Sequence, residues 1–196
     1  MELILASSSA YRRELLERLG LPFQVQAPRF DETPRASEQP EELARRLAIG
    51  KATTVAASHP SALVIGSDQV ATCDGRLLSK PGSPEAARDQ LRACSGSSAR
   101  FLTGLAIVCV DRDFEWSCVE PFDVWFRNLS EAEIERYVDR EQPLDCAGSF
   151  KAEGLGIALF QKLRGDDPTS LQGLPLIQLC GALRAAGLDP LLFADN

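Results

Sequence analysis

The chain contains a single histidine among its 196 residues, and this scarcity excludes several kinds of chemistry. His59 lies in a polar stretch at the end of a helical pattern, and no nucleophile-elbow sequence accompanies it. A Ser–His–Asp triad and a histidine-rich zinc site are therefore not expected. Any reaction should depend on Asp, Glu, Lys and Arg side chains, with a hard metal ion if a metal takes part.

The cysteines form no metal or disulfide pattern, and long apolar runs are missing. The six cysteines contain no Cys-x-x-Cys pair and most have apolar neighbours, which is typical of reduced, mostly buried thiols. No apolar run reaches the length of a membrane span, and the residues before the first serines do not fit a signal peptide. We therefore expect a cytoplasmic protein with no membrane partner. The cysteines are Cys73, Cys94, Cys109, Cys118, Cys146 and Cys180.

Positive charge is in deficit, because 21 Lys and Arg against 28 Asp and Glu give a net charge of −7. A general nucleic-acid binder needs a basic face, so nucleic acid is not an expected partner, although a local basic pocket for one nucleotide remains compatible. The length and a hydrophobic content of 44% suffice for one domain with a substantial core. No linker or repeat divides the chain, so residues 1–196 are predicted to form a single domain.

The beginning of the chain combines a short strand, serines and two arginines. Leu3–Leu5 has the pattern of a strand, Ser7–Ser9 follow, and Tyr11–Leu19 has the pattern of an amphipathic helix. The start of a helix presents unpaired N–H groups that favour phosphate, and Arg12 and Arg13 in its first turn would strengthen such a site. The alternative is a serine cap followed by two solvated arginines, and the residues alone leave both open.

Strand and helix patterns alternate irregularly along the chain. Asp74-Gly75 is typical of a tight hairpin, which argues against a purely parallel sheet. The sequence therefore predicts an α/β fold with a mixed sheet. Predicted strands are Leu3–Leu5, Phe23–Gln26, Leu63–Ile65 with a continuation through Asp68, Thr103–Val110, Val119–Phe126 and Ile157–Phe160. Predicted helices are Tyr11–Leu19, Glu41–Ser58, Ser83–Cys94, Ser130–Tyr137 and Leu174–Ala186.

Two charged residues occupy apolar patterns and need partners. Lys51 falls in the middle of the apolar arc of the predicted helix Glu41–Ser58, where a lone buried ammonium would cost several kcal/mol. It must either extend to solvent or contact an anion. Asp68 continues an apolar strand, so it needs a cation or several N–H donors. Together they suggest a cluster of acid, lysine and phosphate, although Asp68 bonded to backbone amides is the alternative.

Two further segments carry weaker signals. Lys80 precedes Pro81 and is expected in an extended or turn conformation, where it either reaches a site or is simply solvated. The segment Gly148–Gly156 is rich in small residues that permit close approach of a ligand. Lys151 and Glu153 would project to one side of it if the segment is extended.

These segments, taken together, resemble the Maf family of nucleotide pyrophosphatases, and the resemblance extends over nearly the whole chain. Within the family, the chain is most similar to the YceF-like branch, which is associated with 7-methyl-GTP. The motifs that carry the resemblance are Ala6–Arg13, Asp31–Thr33, Lys51-Ala52, Gly66–Val70, Ser79–Pro81, Thr103-Gly104, Glu120–Val124 and Cys146–Gly154.

The resemblance implies a fold, a reaction and partners. The fold would be Maf/ITPase-like, with a twisted mixed sheet, flanking helices and two lobes around a central cleft. The reaction would be hydrolysis of a modified nucleoside triphosphate, with 7-methyl-GTP as first candidate, to the monophosphate and pyrophosphate. A divalent cation, magnesium or alternatively manganese, would be required, and the protein would form a homodimer. The alternatives are a broader pyrophosphatase of the dTTP and UTP type, or a nucleotide-binding regulator of cell division.

The resemblance also assigns roles to residues. Asp68 corresponds to the proton acceptor, although it could instead serve mainly as a metal ligand together with Glu32. The other catalytic positions are Lys51, Lys80 and Glu32, and the substrate-binding positions are Ser7, Ser9, Tyr11, Arg13, Gln69, Ser149, Lys151 and Glu153.

Tyr11, Gln69 and Glu153 correspond to positions linked with selection of the base. The chain departs from the family pattern at Ala10, Tyr11 and Ser79, where Pro, Trp (in the 7-methyl-GTP branch) and Gly are usual. Tyr11 could still present an aromatic face to a positively charged 7-methylguanine.

Overall fold

The computed structural model of the protein describes residues 2–193, within which seven strands and five α-helices form. The strands are β1 (Leu3–Ala6), β2 (Gln24–Val25), β3 (Leu63–Cys73), β4 (Arg76–Leu78), β5 (Ser98–Cys109), β6 (Phe114–Phe126) and β7 (Phe160–Gly165). The helices are α1 (Ala10–Glu17), α2 (Pro40–Ala56), α3 (Pro84–Cys94), α4 (Glu131–Glu141) and α5 (Leu176–Ala185). None of the helices within this range is long and apolar enough to cross a membrane.

The sheet is mixed, as the sequence predicts. Its strand order is β2-β1-β3-β5-β6-β7, and β4 pairs with β3 beside this path. Strand β1 is parallel to both β2 and β3, whereas β4 and β7 are antiparallel to their neighbours β3 and β6. The described chain divides into two compact units: unit 1 comprises residues 2–68, 103–120 and 167–193, and unit 2 comprises residues 69–102 and 121–166. The arrangement of one domain with two lobes around a cleft stays a prediction.

In unit 1, alternate residues of the central strands face two separate apolar clusters. Leu3 and Leu5 pack with α1 and α5, whereas Ile4 packs with α2. This follows from the alternation of side chains along a strand, and burial on both faces explains why the strands have continuous apolar sequences. Unit 1 therefore has helices on both faces of its part of the sheet.

Helix α2 lies unusually close to the strands beneath it, because two glycines face it. A Cβ atom at Gly66 of β3 would overlap the carbonyl oxygen of Ala48, and one at Gly104 of β5 would overlap that of Ala44. The backbone of α2 therefore rests directly on the sheet. Any longer side chain at either glycine would lift the helix, so these two positions determine how deeply the residues of α2 project over β3.

Unit 2 is built around a hairpin, two capped helices and a group of phenylalanines. Asp74 and Gly75 have φ angles of 47° and 76° and form the predicted hairpin turn between β3 and β4. Helices α3 and α4 begin at serine caps, as the sequence predicts. Four rings pack edge to face with centroid distances of 4.8 to 5.8 Å, and they belong to Phe101, Phe126, Phe150 and Phe160.

Several predicted boundaries differ from the structure. The predicted strand at Ile157–Phe160 is wrong: Leu155–Leu159 forms a 3₁₀ turn, and β7 begins only at Phe160. Ile157 is 54% exposed, so its apolar neighbours do not mark a buried strand. Strands β5 and β6 also begin several residues earlier than predicted, and the added residues include the exposed Ser98, Arg100 and Glu115. All six cysteines are free thiols, three buried and three half-buried.

Candidate active site

The candidate site in unit 1 is centred on Lys51, which bridges two carboxylates. Its Nζ atom lies 2.5 Å from Oδ1 of Asp68 and 2.8 Å from Oε1 of Glu32. The side chains of Lys51 and Asp68 are only 7% and 13% exposed, whereas that of Glu32 is 57% exposed. The expectation that Lys51 contacts an anion is confirmed, and the alternative of a lysine extended into solvent is wrong.

The pairing of Lys51 with Asp68 follows from local structure. Lys51 projects from α2 within the stretch that rests on β3. Asp68 lies two residues after Gly66 on β3, and residues two apart on a strand face the same side of a sheet. Gly66 lets the backbone of α2 approach β3. Asp68, on the same face of the strand, therefore contacts Lys51 of that helix.

Arg12 adds a second cation to this region of unit 1. Its Nε atom donates to the carbonyl oxygen of Gly173 at 2.8 Å. Burial lowers the pKa of Arg12, while the charges of Asp68 and Glu32 act in the opposite direction and favour the guanidinium ion. Gly173 has a φ of 100°, a conformation that favours glycine, and a Cβ there would press against the guanidinium.

Arg13, which the resemblance assigns to phosphate binding, has different contacts from Arg12. It is exposed, and its Nε atom lies 2.9 Å from Oε1 of Glu17, one turn along α1. The two arginines are separated by about 100° around the helix, so they leave it in different directions. A role of Arg13 in phosphate binding stays a prediction.

The serines before α1 shape the start of that helix. Ser9 is the N-cap, and its hydroxyl accepts a hydrogen bond from the backbone N–H of Arg12. The hydroxyl of Ser7 is in turn the acceptor for the N–H of Ser9 at 3.1 Å. Ser7 is buried and Tyr11 is half-buried. These bonds set the direction of the first turn, which presents Arg12 to the interior.

The loop before α5 supplies the partner of Arg12, and the sequence patterns did not predict this contact. Asp167 is buried, and its carboxylate accepts from the N–H groups of Thr169 and Ile177 at 3.0 and 2.6 Å. These bonds shape the turn that ends at Gly173, whose carbonyl oxygen also accepts from the hydroxyl of Ser67 at 2.8 Å. The Asp-Pro-Thr sequence close before a helix is the signal that could have revealed this turn.

The remaining predicted site residues belong to unit 2. Lys80 and Glu153 are exposed, and Gln69 is half-buried. Ser149 is fully buried, and its hydroxyl donates to Oε1 of Gln90 at 3.1 Å. Their roles in catalysis, substrate binding and base selection stay predictions.

The segment around Lys151 is folded into turns and is not extended. The N–H of Gly154 donates to the carbonyl oxygen of Lys151, and a 3₁₀ turn follows. Lys151 uses its Nζ atom to donate to the carbonyl oxygen of Glu141 at 2.9 Å, and its N–H donates to the hydroxyl of Tyr137 at 3.0 Å. These bonds fix a turn, so the extended conformation in which Lys151 and Glu153 would project to one side does not form.

The carboxylates of Glu32 and Asp68 are suited to a hard divalent cation. Both place an oxygen within 2.8 Å of one nitrogen atom, so their oxygens already converge on one small region. Oxygen ligands are those that magnesium prefers, and this ion commonly keeps several waters beside one or two carboxylates. Within residues 2–193, no group of three or more His, Cys, Asp or Glu side chains could hold a metal. Two carboxylates would leave the other positions on a magnesium ion to water and phosphate, and a magnesium site at Glu32 and Asp68 stays a prediction.

Comparison with known proteins shows the family of the chain. The family model described as Maf-like protein matches residues 2–186. The chain belongs to the Maf-like family. A Maf-like relative from Chromohalobacter salexigens, named 7-methyl-GTP pyrophosphatase, is 56% identical over 189 residues, which cover 96% of this chain and 98% of the relative. A protein of the same name from Pseudomonas aeruginosa is 57% identical over 189 residues with the same coverage.

The fold of this Maf-like chain is also found in a distant solved structure. The structure of the Staphylococcus aureus Ham1 protein matches with a TM-score of 0.51 and covers 91% of this chain and 97% of its own. The sequence identity is 16%, so this likeness concerns the fold alone. It confirms the predicted Maf/ITPase-like mixed α/β architecture.

Proposed function

We propose that the protein hydrolyses a modified nucleoside triphosphate, with 7-methyl-GTP as first candidate, to the nucleoside monophosphate and pyrophosphate. The observation that carries this proposal is the shielded ammonium of Lys51 between two carboxylates, with the Arg12 guanidinium in the same unit. The two relatives named 7-methyl-GTP pyrophosphatase support the choice of substrate.

Asp68 is proposed to orient or deprotonate the attacking water. Lys51 holds its Oδ1 atom and so fixes the direction of the carboxylate within its strand. A positioned general base contributes about 10²–10⁴-fold to a rate. Because Asp68 is largely shielded from solvent, its orientation is set by the protein and not by bulk water.

Lys51 and Arg12 are proposed to stabilise the negative charge that shifts among phosphate oxygens during the reaction. A guanidinium matches phosphate oxygens in a bidentate fork, and both cations are held in place before a substrate arrives. A magnesium ion, held by Glu32 and Asp68, would supply Lewis-acid stabilisation of the phosphate oxygens. Manganese would be the alternative ion.

Tyr11 is proposed to contribute to selection of the base. It is half-buried at the start of α1, next to Arg12, whose charge interacts with those of Asp68 and Glu32. A 7-methylguanine ring is positively charged, and an aromatic face attracts such a cation by about 0.5–2 kcal/mol. We further propose that the active protein is a cytoplasmic homodimer that takes no nucleic acid or membrane partner.

The decisive experiment is an assay of the purified protein with magnesium and a panel of 7-methyl-GTP, GTP, dTTP and UTP, in which pyrophosphate and orthophosphate are measured separately. We expect pyrophosphate as product, with 7-methyl-GTP giving the highest kcat/KM. Equal or faster turnover of dTTP or UTP would favour the broader pyrophosphatase. The absence of pyrophosphate with every nucleotide would overturn the enzymatic function.

A further inference from the structure

We propose that Arg46 is a positioning residue that holds the loop Pro28–Gln39 against α2, so that Glu32 meets Lys51. This inference rests on the proposed function for its catalytic consequence, because Glu32 is assigned there to the active site. Its structural part concerns only contacts within unit 1. We call the bonds from Arg46 to Glu38 and Thr33 the Arg46 clamp.

The Arg46 clamp consists of three hydrogen bonds from one guanidinium. Its Nε donates to Oε1 of Glu38 at 2.5 Å, and its Nη2 donates to Oε2 of the same carboxylate at 2.8 Å. Nη2 also donates to the carbonyl oxygen of Thr33 at 3.1 Å. The two side chains are only 17% and 8% exposed, which sets this pair apart from the exposed ion pairs of the chain.

A second anchor lies on the other side of Glu32. The ring of Phe30 occupies the space that a Cβ atom would take at Gly50, so the ring rests on the backbone of α2. Gly50 follows Arg46 by four residues, and residues four apart lie on the same face of a helix. One face of α2 thus holds Phe30 and Thr33. These two residues flank the pair Asp31 and Glu32 in the loop.

The position of Glu32 depends on these two anchors, because its ion pair with Lys51 holds it only weakly. The loop contains no helix or strand, and the side chain of Glu32 is more than half exposed. An exposed ion pair contributes little by itself, since ordering two flexible side chains opposes the Coulomb attraction. The Arg46 clamp removes the further cost of ordering the loop backbone, because the residue next to Glu32 is already bound to the helix that carries Lys51.

The clamp is tested by removing it and comparing with a neighbouring arginine. Arg46→Ala is expected to lower kcat/KM by about 10- to 100-fold, the scale of loss when a reacting group is misplaced. Arg46→Lys should recover only part of this, because an ammonium cannot make the bidentate contact. Arg45→Ala is the matched control: Arg45 contacts Ser117, and its loss should leave kcat/KM unchanged within about twofold.

A double-mutant cycle distinguishes positioning from general structural damage. If Arg46 acts through Glu32, Arg46→Ala should have no further effect on kcat/KM in a Glu32→Gln background. Multiplicative losses in the double variant would overturn the proposal. Glu38→Gln removes one charge from the clamp and provides a milder variant, expected to change activity in the same direction, should Arg46→Ala fail to fold.

Hydrogen exchange supplies a readout that needs no catalysis. Amides of residues 30–38 should exchange at least about tenfold faster in Arg46→Ala than in the parent protein, while amides of β1 and β3 keep their rates. Unchanged exchange in the loop would overturn the clamp even if activity falls. If the parent protein hydrolyses none of the nucleotides, the proposed function fails, and the exchange rates still decide whether Arg46 holds the loop.

Discussion

The Nζ atom of Lys51 lies 2.5 Å from Oδ1 of Asp68, although the two residues are separated by 17 positions and come from a helix and a strand. Each would be costly to bury alone, and each offers the charge that the other needs. Because the pair is mostly shielded, its geometry is maintained without substrate. Replacing Asp68 and replacing Lys51 should therefore have different effects on stability and on catalysis.

Replacing Asp68 by Asn should remove catalysis while leaving the fold intact. The amide keeps the size of the side chain and can still accept a hydrogen bond from Lys51, but it cannot take a proton. We expect kcat to fall by about 10²–10⁴-fold. The unfolding midpoint in urea should fall as well, because the shielded ammonium of Lys51 keeps only the exposed Glu32 as an ionised partner. A variant as active as the parent protein would exclude Asp68 as the base.

Replacing Lys51 by Met should lower the stability of the protein as well as its activity. Met fills the apolar arc, but Asp68 then keeps a largely shielded carboxylate without its cation. We expect a loss of about 1–3 kcal/mol in the free energy of unfolding, measured by urea denaturation at neutral pH. The exposed side chain of Glu32 should contribute little to this loss.

The double variant Lys51→Met with Asp68→Leu provides the control for that interpretation. With both charges replaced by apolar groups, stability should return to within about 1 kcal/mol of the parent protein, while activity stays absent. If the double variant is as unstable as Lys51→Met alone, the loss reflects altered packing of α2 and not an unpaired carboxylate.

The pairing of Lys51 with Asp68 could be predicted from the sequence, because the patterns that indicate it are local. Lys51 interrupts an apolar helical arc and Asp68 follows an apolar strand, so burial alone demands a partner for each. The alternating strands and helices likewise predict the mixed sheet. These inferences need only the neighbours of each residue along the chain and the period of the element.

Other parts of the site depend on contacts that no local pattern encodes. Arg12 and Arg13 are equivalent in sequence, and the choice between them depends on where Gly173 lies, 161 residues from Arg12. The Arg46 clamp joins a helix to a loop without periodicity, and the turn at Lys151 is fixed by Tyr137 and Glu141. In each case the deciding partner is distant in sequence or lies in an irregular segment.

Replacing Gly66 by Ala should displace α2 and, with it, the side chain of Lys51 in the candidate active site. The added methyl group would overlap the backbone of α2 at Ala48, and helix backbone cannot move aside like a flexible side chain. We expect a loss of about 1–3 kcal/mol in the free energy of unfolding, the usual cost of overpacking, together with reduced activity because Lys51 is displaced. Circular dichroism during thermal unfolding measures the first effect, and kcat the second.

Gly181→Ala is the matched control for this substitution. Gly181 lies within α5, where a Cβ would only approach the Arg184 side chain at 3.9 Å. Alanine there should raise the free energy of unfolding by up to about 1 kcal/mol, because glycine is unfavourable inside a helix. Equal destabilisation at both positions would show that close packing of α2 is not the cause.

The stability contributed by Glu38 should depend on pH in a defined window. Hydrogen bonds from the Arg46 guanidinium, and then from the backbone N–H of Arg35, lower the pKa of Glu38 from its ordinary value of 4.5 to about 2. A carboxyl group with a depressed pKa stabilises the folded state above its unfolded pKa, and this contribution is lost as the pH falls through the folded pKa. The stabilisation should therefore be complete above about pH 4.5 and decline towards pH 2.

Urea unfolding of the parent protein and Glu38→Gln at several pH values measures this contribution. The difference between the two midpoints should be constant between pH 5 and pH 7, both in the range where Glu38 is ionised in either state. It should shrink as the pH is lowered further. A difference that grows on acidification has the wrong sign for a carboxylate held by Arg46, and would contradict the clamp as the source of the low pKa.

The aromatic ring of Tyr11 should distinguish a methylated base from an ordinary one. A positively charged 7-methylguanine gains a cation–π contact that neutral guanine does not, so Tyr11→Ala should reduce kcat/KM for 7-methyl-GTP about 2- to 30-fold more than for GTP. Tyr11→Phe keeps the aromatic face and should retain most of the preference, whereas Tyr11→Trp should strengthen it, because indole is the best partner for a cation. Steady-state kinetics with both nucleotides measures the ratio. Equal losses on both substrates in Tyr11→Ala would mean that the ring supports the start of α1 and does not select the base.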